Sequence, residues 1–422
     1  MGTRWWAARG LPEIRDRKQR TSPLQVHAVK QTPAACRSVL IVAGEPSADR
    51  YGARLVRRLN DCCDREELRF FGTGGDGMLG AGVEVLCHIR ELASIGPREA
   101  LRHLLRYYRT YNLLIRTCRE RRTSVAVLLD FPDFNLRLAK RLKRLGLKVI
   151  YYISPQLWAW RRGRIRTVKK YVDRMLVILP FEEEYYRVRG VNVEFVGHPL
   201  LEDFPVQPDR NRFFTEHDLD PDLKTIALLP GSRRREVEYI LPTMLEAGCR
   251  ILRRMPAQFL VSVAPAIEAG QLHRIVREVV GRDSAGTRVR IIREDSRRIL
   301  ANADFGFVKS GTSTLEAALV GTPFLITYKI SAPSWFLGTI LVRTRHKGLV
   351  NLIASEEIVP EYLQSAATPE ALARAALEVL ETPEKAVAMK ERLAGIRNML
   401  GSRRATETAA ARVAEYLGGT EC

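Results

Sequence analysis

The chain has 422 residues, enough for two domains with separate cores, and its 46% hydrophobic and 27% charged residues exclude a disordered polymer. Its 68 Lys and Arg against 48 Asp and Glu leave a formal charge of +20, a field that attracts phosphorylated substrates, anionic lipid or nucleic acid. No window approaches the roughly 20 apolar residues of a spanning helix, so any membrane contact is expected from the surface. Residues 1–37 are rich in Arg, Thr, Gln and Pro without a continuous apolar run, which disfavours a secretory signal. A disordered extension, a transit-like peptide and a mis-chosen start remain open for them. The seven cysteines form no C-x-x-C pair or zinc spacing, which fits a reducing cytosol.

From Ser38 onward short apolar runs alternate with longer helical patterns, as in a parallel sheet covered on both faces. Val39 to Gly44 reads as a buried strand, and the helix RYGARLVRRLN follows the loop EPSAD. Further strands are expected at Val125 to Asp130, Lys148 to Ser154, Arg174 to Pro180 and Val193 to Pro199, with Gly146 and Gly190 closing helices between them. The polar stretch Glu202 to Asp222 reads as a linker. A second series follows at Thr225 to Pro230, Phe259 to Pro265, Arg288 to Ile292, Asp304 to Ser310 and Pro323 to Lys329. The expected architecture is α/β, with two Rossmann-like domains facing a cleft at the carboxyl ends of both sheets. Residues 1–37 would be an extension, 38–205 the first domain and 206–422 the second, with the last helices packing back on the first.

Several loops carry chemistry. In LPGSRRRE, Gly231 and Ser232 stand at a helix N-terminus with Arg233, Arg234 and Arg235 close by, a cradle for a diphosphate or a turn with solvated arginines. KSGTSTLE repeats the arrangement: the Gly311, Thr312, Ser313 and Thr314 loop can hold a second edge of the diphosphate, and Glu316 can accept from ribose hydroxyls. Ser313 and Glu316 equally spell a capping box. Asp130 and Asp133 in DFPDFN are candidates for a general base, and Asp133 is also a candidate helix cap. Asp49 carries the same ambiguity. SPQLWAWRRGR places Trp158 and three arginines after a strand, to shape an acceptor pocket or plug a gap. His198 reads as a polar interdomain contact. Leu101, Leu104, Leu105, Tyr108 and Ile115, interleaved with Arg102, Arg106 and Arg109, make a basic amphipathic helix suited to an anionic membrane or to ordinary packing. Pro333 to Lys347 adds a second apolar and basic stretch.

Taken in order, AGEPSADRYGA, LDFPDFNLRLAKRL, YYISPQLWAWRRGRI, LPFE, FVGHPL, LLPGSRRREV, SGTSTLEAAL and NLIASEEIVPEYLQ resemble the lipid-A-disaccharide synthase family from about Ser38 to about Gln364. The resemblance implies an inverting glycosyltransferase of GT-B architecture, independent of metal and without a cofactor. UDP-2,3-diacylglucosamine would be the donor and 2,3-diacylglucosamine 1-phosphate the acceptor, joined by a β-1,6 bond. It implies Asp133 as base, Arg233 as the arginine of the PGSR turn and Asn351 as an asparagine needed for activity. Gly44, Ser47, Asp49, Trp158, Ser232, Gly311, Thr312, Ser313, Thr314 and Glu316 complete the substrate-binding set. The expected location is cytoplasmic, peripheral on the inner face of the inner membrane; a homodimer is left open and no nucleic acid is expected. Ala48, Ser124 and Val350 depart from the family pattern without removing the base or the phosphate groups. The alternatives are another GT-B UDP-sugar enzyme, such as a polyprenyl-linked-sugar transferase or an epimerase, and a basic nucleic-acid-binding protein, which would need a recognition motif that the chain lacks.

Overall fold

The computed structural model describes residues 37–62, 68–92, 100–204, 209–264, 267–281, 288–330, 346–401 and 404–418, with side chains in the helix at 100–120 described from Leu105. The first sheet contains β1 (Arg37–Val42), β2 (Leu68–Gly74), β3 (Glu84–His88), β4 (Val125–Leu129), β5 (Lys148–Tyr152), β6 (Arg174–Val177) and β7 (Val193–Phe195). Its seven strands run parallel in the order β3-β2-β1-β4-β5-β6-β7. The second contains β8 (Lys224–Leu229), β9 (Ala257–Ser262), β10 (Val289–Ile292), β11 (Phe305–Lys309), β12 (Phe324–Tyr328) and β13 (Glu361–Leu363), parallel in the order β10-β9-β8-β11-β12-β13. Every residue of β4 is buried, as a strand with helices on both faces requires.

Three strands were not legible in the sequence: β2, β3 and β13. β2 contains Gly72 and Gly74, which interrupt its apolar pattern, yet it pairs with β1 along its length. Gly72 is obligatory there. It has φ +154, and a Cβ would stand 1.8 Å from the Ile41 carbonyl oxygen. The expected linker also holds more structure than a polar stretch suggests. Helix Arg210–Glu216, capped by the Asp209 carboxylate on the Arg212 N–H, buries Phe213 and Phe214.

Helix closure follows the sequence reading, with Gly146 and Gly190 in left-handed geometry at φ +87 and +71. The last described helix, Ala405–Leu417, lies against helix Pro46–Cys62 beside the first sheet. Glu202 accepts from both Thr406 N–H and Thr406 Oγ1 at 2.6 Å, and Arg58 pairs with Glu407 at 3.3 Å. At the junction of the two halves, Asp203 pairs with Arg54 from that first helix and, at 3.3 Å, with Arg297 from the second half.

Candidate functional site

In both sheets the strand order reverses at one point, between β1 and β4 and between β8 and β11. The loops leaving the carboxyl ends of these four strands are where an open parallel sheet binds ligands. They carry Gly44 to Asp49, Asp130 to Asn135, Gly231 to Arg233 and Ser310 to Thr314. Arg233 Nη2 reaches to 4.0 Å from Glu45, so the turn after β8 faces the loop after β1.

The loop after β4 is held in an unusual conformation. Asp130 and Phe131 both have positive φ, 46 and 51, a left-handed pair that costs conformational energy and persists only where the surroundings fix it. Three groups do so. Asn135, fully buried, donates Nδ2 to the Leu129 and Asp130 carbonyls at 3.1 and 2.8 Å, and Tyr151 donates its hydroxyl to the Asp130 carbonyl at 2.5 Å. Gly44 is the third: a Cβ there would lie 2.3 Å from the Phe131 ring, so only glycine lets these two loops touch.

Asp133 does not cap its helix. Pro132–Arg144 begins after Phe131 without a side-chain cap, and Asp133 turns instead to Arg161, at 2.7 Å, and Arg164. Partial burial raises its pKa, but the bonds and charges of Arg164 and Arg161 outweigh that and hold the carboxyl below its usual value. Asp130 behaves oppositely. Burial, reinforced by the negative charge of Glu45, pushes it up to about 6, and among the described residues it has no ion-pair partner.

Asp49 resolves its ambiguity the other way. Its buried carboxylate accepts N–H bonds from Gly75, Gly77 and Met78 at 2.6, 3.0 and 3.1 Å, so it closes the start of helix Asp76–Gly80 and shapes the first loop from behind. Ser47, two residues earlier in the first turn of helix Pro46–Cys62, is half-buried. Trp158 is also buried. Its indole N–H donates to Glu182 Oε1 at 3.0 Å and its ring meets Phe181 edge-on at 5.0 Å. Tyr186 and Tyr185 donate to the carbonyls of Pro155 and Leu157 at 2.7 and 3.1 Å. Helix Pro180–Arg187 thereby grips the loop that delivers Arg161 and Arg164 to Asp133.

On the other side of the cleft, Ser232 and Arg233 are exposed, and Gly231 has φ +121. Glu236 bends back into this turn and accepts from Ser232 N–H at 3.3 Å and Arg233 Nη1 at 3.5 Å. The turn after β11 begins helix Thr312–Val320 with Gly311 at φ 150 in the cap position, and Thr314 Oγ1 donates to the Gly311 carbonyl at 2.7 Å. Thr312 is exposed and Ser313 half-buried. Glu316 is not part of a capping box: its Oε2 accepts from Ser296 Oγ at 2.7 Å. Burial raises its pKa, with Ser296 and the Arg50 charge opposing.

Asn351 stands apart from this group. It is 0% exposed, and its amide is fully occupied: Nδ2 donates to the Val359 carbonyl and Glu361 Oε1 at 2.8 Å, and Oδ1 accepts from Ile358 and Val359 N–H at 2.8 and 3.1 Å. It fixes the segment leading into β13. His198 is buried with Nδ1 accepting from Leu200 N–H at 3.1 Å, and burial drops its pKa to about 3, leaving it neutral. Among the described residues, Glu216, His217 and Glu294 come close enough to share a metal ion. They lie outside the cleft loops, and Arg298 pairs with both carboxylates.

Helix Ala100–Glu120 packs Tyr107 against Phe131 and Phe134 at centroid distances of 5.6 and 5.7 Å, directly beside the Asp130 loop. The expected apolar stripe divides. Ile115 is buried in the core, whereas Leu105 and Tyr108 are 52% and 64% exposed. The side chains of Leu101, Arg102 and Leu104, and most of the stretch Pro333 to Lys347, lie outside the described residues. No described helix is long and apolar enough to cross a membrane.

Comparison with known proteins adds to this geometry. A family model described as lipid-A-disaccharide synthetase matches residues 39–414. The lipid-A-disaccharide synthase of Syntrophus aciditrophicus (strain SB) is 41% identical over 387 residues, covering 91% of this chain and 99% of that protein. Among solved structures, the UDP-GlcNAc 2-epimerase from Neisseria meningitidis bound to UDP-GlcNAc superposes with a TM-score of 0.63 at 12% identity, covering 90% of this chain and all of that one. A calicheamicin glycosyltransferase gives 0.57 at 14%, covering 91% and 98%. These distant likenesses establish the two-domain GT-B fold that the strand order describes.

Proposed function

We propose that this chain, which belongs to the lipid-A-disaccharide synthase family and is a glycosyltransferase, joins UDP-2,3-diacylglucosamine to 2,3-diacylglucosamine 1-phosphate through a β-1,6 bond and releases UDP. The observation that carries this reading is the meeting of the two switch points. A loop with two carboxylates stands on one side and two turns suited to phosphate on the other, with Arg233 reaching to 4.0 Å from Glu45. Residues 38–205 would hold the acceptor and 206–422 the donor.

The acceptor 6-hydroxyl attacks the anomeric carbon as the bond from that carbon to the diphosphate oxygen breaks, which inverts the centre in a single displacement. Asp133 takes the hydroxyl proton. Arg233, with the N–H groups of Ser232 and of the Gly311 to Thr314 turn, receives the charge that develops on the leaving diphosphate. Glu316 binds the ribose. Asp49, Trp158 and Asn351 act through the loops they hold. A second reading has one observation in its favour: Asp133 is engaged by two arginines, whereas Asp130 is unpaired among the described residues and raised to about 6, nearer the range of an effective base.

Both sugars carry acyl chains, and exposing these to water costs about 0.8 kcal/mol per methylene, so the enzyme works at the bilayer. Leu105 and Tyr108, exposed beside Arg106 and Arg109 on the helix that covers the base loop, are suited to lie on the inner face of the inner membrane. Incubating the protein with the two acylated sugars and weighing the product by mass spectrometry tests the whole reading. The disaccharide 1-phosphate is expected; an epimerised UDP-sugar without disaccharide would sink it.

A further inference from the structure

At the resting phosphate turn the arginines are engaged by carboxylates: Arg234 pairs with Glu238, and Arg233 is shared. Arg233 stands between two carboxylates, Glu236 at 3.5 Å and Glu45 at 4.0 Å, so by itself it leaves the place where a diphosphate must bind with a surplus of negative charge. The balance is restored from the neighbouring strand. Lys309, the last residue of β11, places Nζ 3.0 Å from Glu236 Oε1. β8 and β11 are adjacent and in register, with Val308 opposite Leu229, so the two turns leave the sheet side by side and Lys309 lies between them. A Cβ on Gly311 would stand 3.5 Å from Nζ, which puts the ammonium directly under the second turn. It is 18% exposed, enough to meet a ligand oxygen while shielded from bulk water.

From this arrangement we infer that Lys309 is a diphosphate-binding residue, the group that bridges the two turns when UDP is bound, and that Glu236 is a positioning residue that holds Lys309, Arg233 and the Ser232 N–H aimed at one point. The buried Glu236 carboxylate keeps three donors converged that would otherwise splay apart by repulsion between the two cations. Lys309 is suited to a phosphate as a point charge, without the planar fork that Arg233 brings. This assignment rests on the donor reading above.

The test is a titration of UDP and of uridine into the parent, Lys309→Met and the paired variant Lys309→Met with Glu236→Gln. The pair relieves Glu236 of a lost partner and so keeps the comparison valid if the single variant folds poorly. Loss of one charge-assisted contact weakens UDP binding by roughly tenfold to a hundredfold. Uridine, which has no phosphate, should bind parent and variants alike, and Lys309→Arg should recover part of the UDP affinity. A Lys309→Met protein that binds UDP as tightly as the parent overturns the assignment, as does one that loses UDP and uridine equally. A parent that binds neither ligand overturns the donor reading itself, and this inference with it.

Discussion

Replacing Asp133 by Asn keeps the shape of the side chain and removes its basicity. The structure separates the two effects this could have. The carboxylate is 54% exposed and its partners Arg161 and Arg164 are 44% and 25% exposed, so each ion pair contributes at most about 1 kcal/mol to stability in this solvent-screened setting. Melting should fall by no more than a few degrees, at about 2–4 °C per kcal/mol for a unit of 150–250 residues and less for a longer cooperative one. A general base contributes about 10²- to 10⁴-fold to rate, which is about 3 to 5 kcal/mol in the barrier. Steady-state transfer, followed by UDP release, should therefore show kcat/KM falling by that factor in Asp133→Asn while UDP binding stays within twofold. The pH profile adds a second criterion. The bonds and charges of Arg164 and Arg161 hold the Asp133 pKa below its usual value, so this group gives the parent's kcat/KM no acid limb near pH 6. Near-normal turnover in a folded Asp133→Asn protein, or an acid limb near pH 6 that disappears in Asp130→Asn, would refute the assignment and make Asp130 the base.

Arg233→Ala should raise the donor KM roughly tenfold to a hundredfold and leave the acceptor KM unchanged, since one charge-assisted contact to diphosphate is worth about 1.5–3 kcal/mol; unchanged donor kinetics would rule that contact out. Glu182 is raised to about 7, first by burial, against the bonds from Ser154, Trp158 and the Leu179 N–H. The folded chain therefore holds a proton that the unfolded chain gives up near the ordinary glutamate value of 4.5, and stability should decline as pH rises from there through about 7. Glu182→Gln should flatten that slope in thermal melts, and an unchanged slope would remove Glu182 as its source. Leu105→Ser with Tyr108→Ser should lower sedimentation with anionic vesicles and activity on long-chain substrates, and spare a detergent-dispersed short-chain substrate. Vesicle binding equal to the parent's in the folded variant would move the membrane contact elsewhere.

The sequence by itself determined the alternation of strand and helix, ten of the thirteen strands among the described residues, and the four loops that face the cleft. It could do so because a parallel strand buried on both faces must be a short apolar run, and because the small residues after such a run are the condition for a turn that lets backbone approach a phosphate. It also carried the family, through eight motifs in a fixed order. Tertiary structure alone decided what each polar side chain does. Asp49, Asp133 and Glu316 were each compatible with a cap or with a site. Asp49 proved to cap, but a helix 26 residues further along the chain rather than its own, whereas Asp133 and Glu316 cap nothing and turn to Arg161, Arg164 and Ser296. Trp158 could shape a pocket or plug a gap and Asn351 entered through the family resemblance; the fold buries both and engages their polar atoms. β2 was hidden because Gly72, which its close approach to β1 requires, erases the apolar signal of the strand. Hydrophobic periodicity reports which residues leave water, and that is a local property of the chain. Which donor meets which acceptor depends on strands and helices far apart in sequence, as with Lys309 and Glu236, and is fixed only when the two turns are brought side by side.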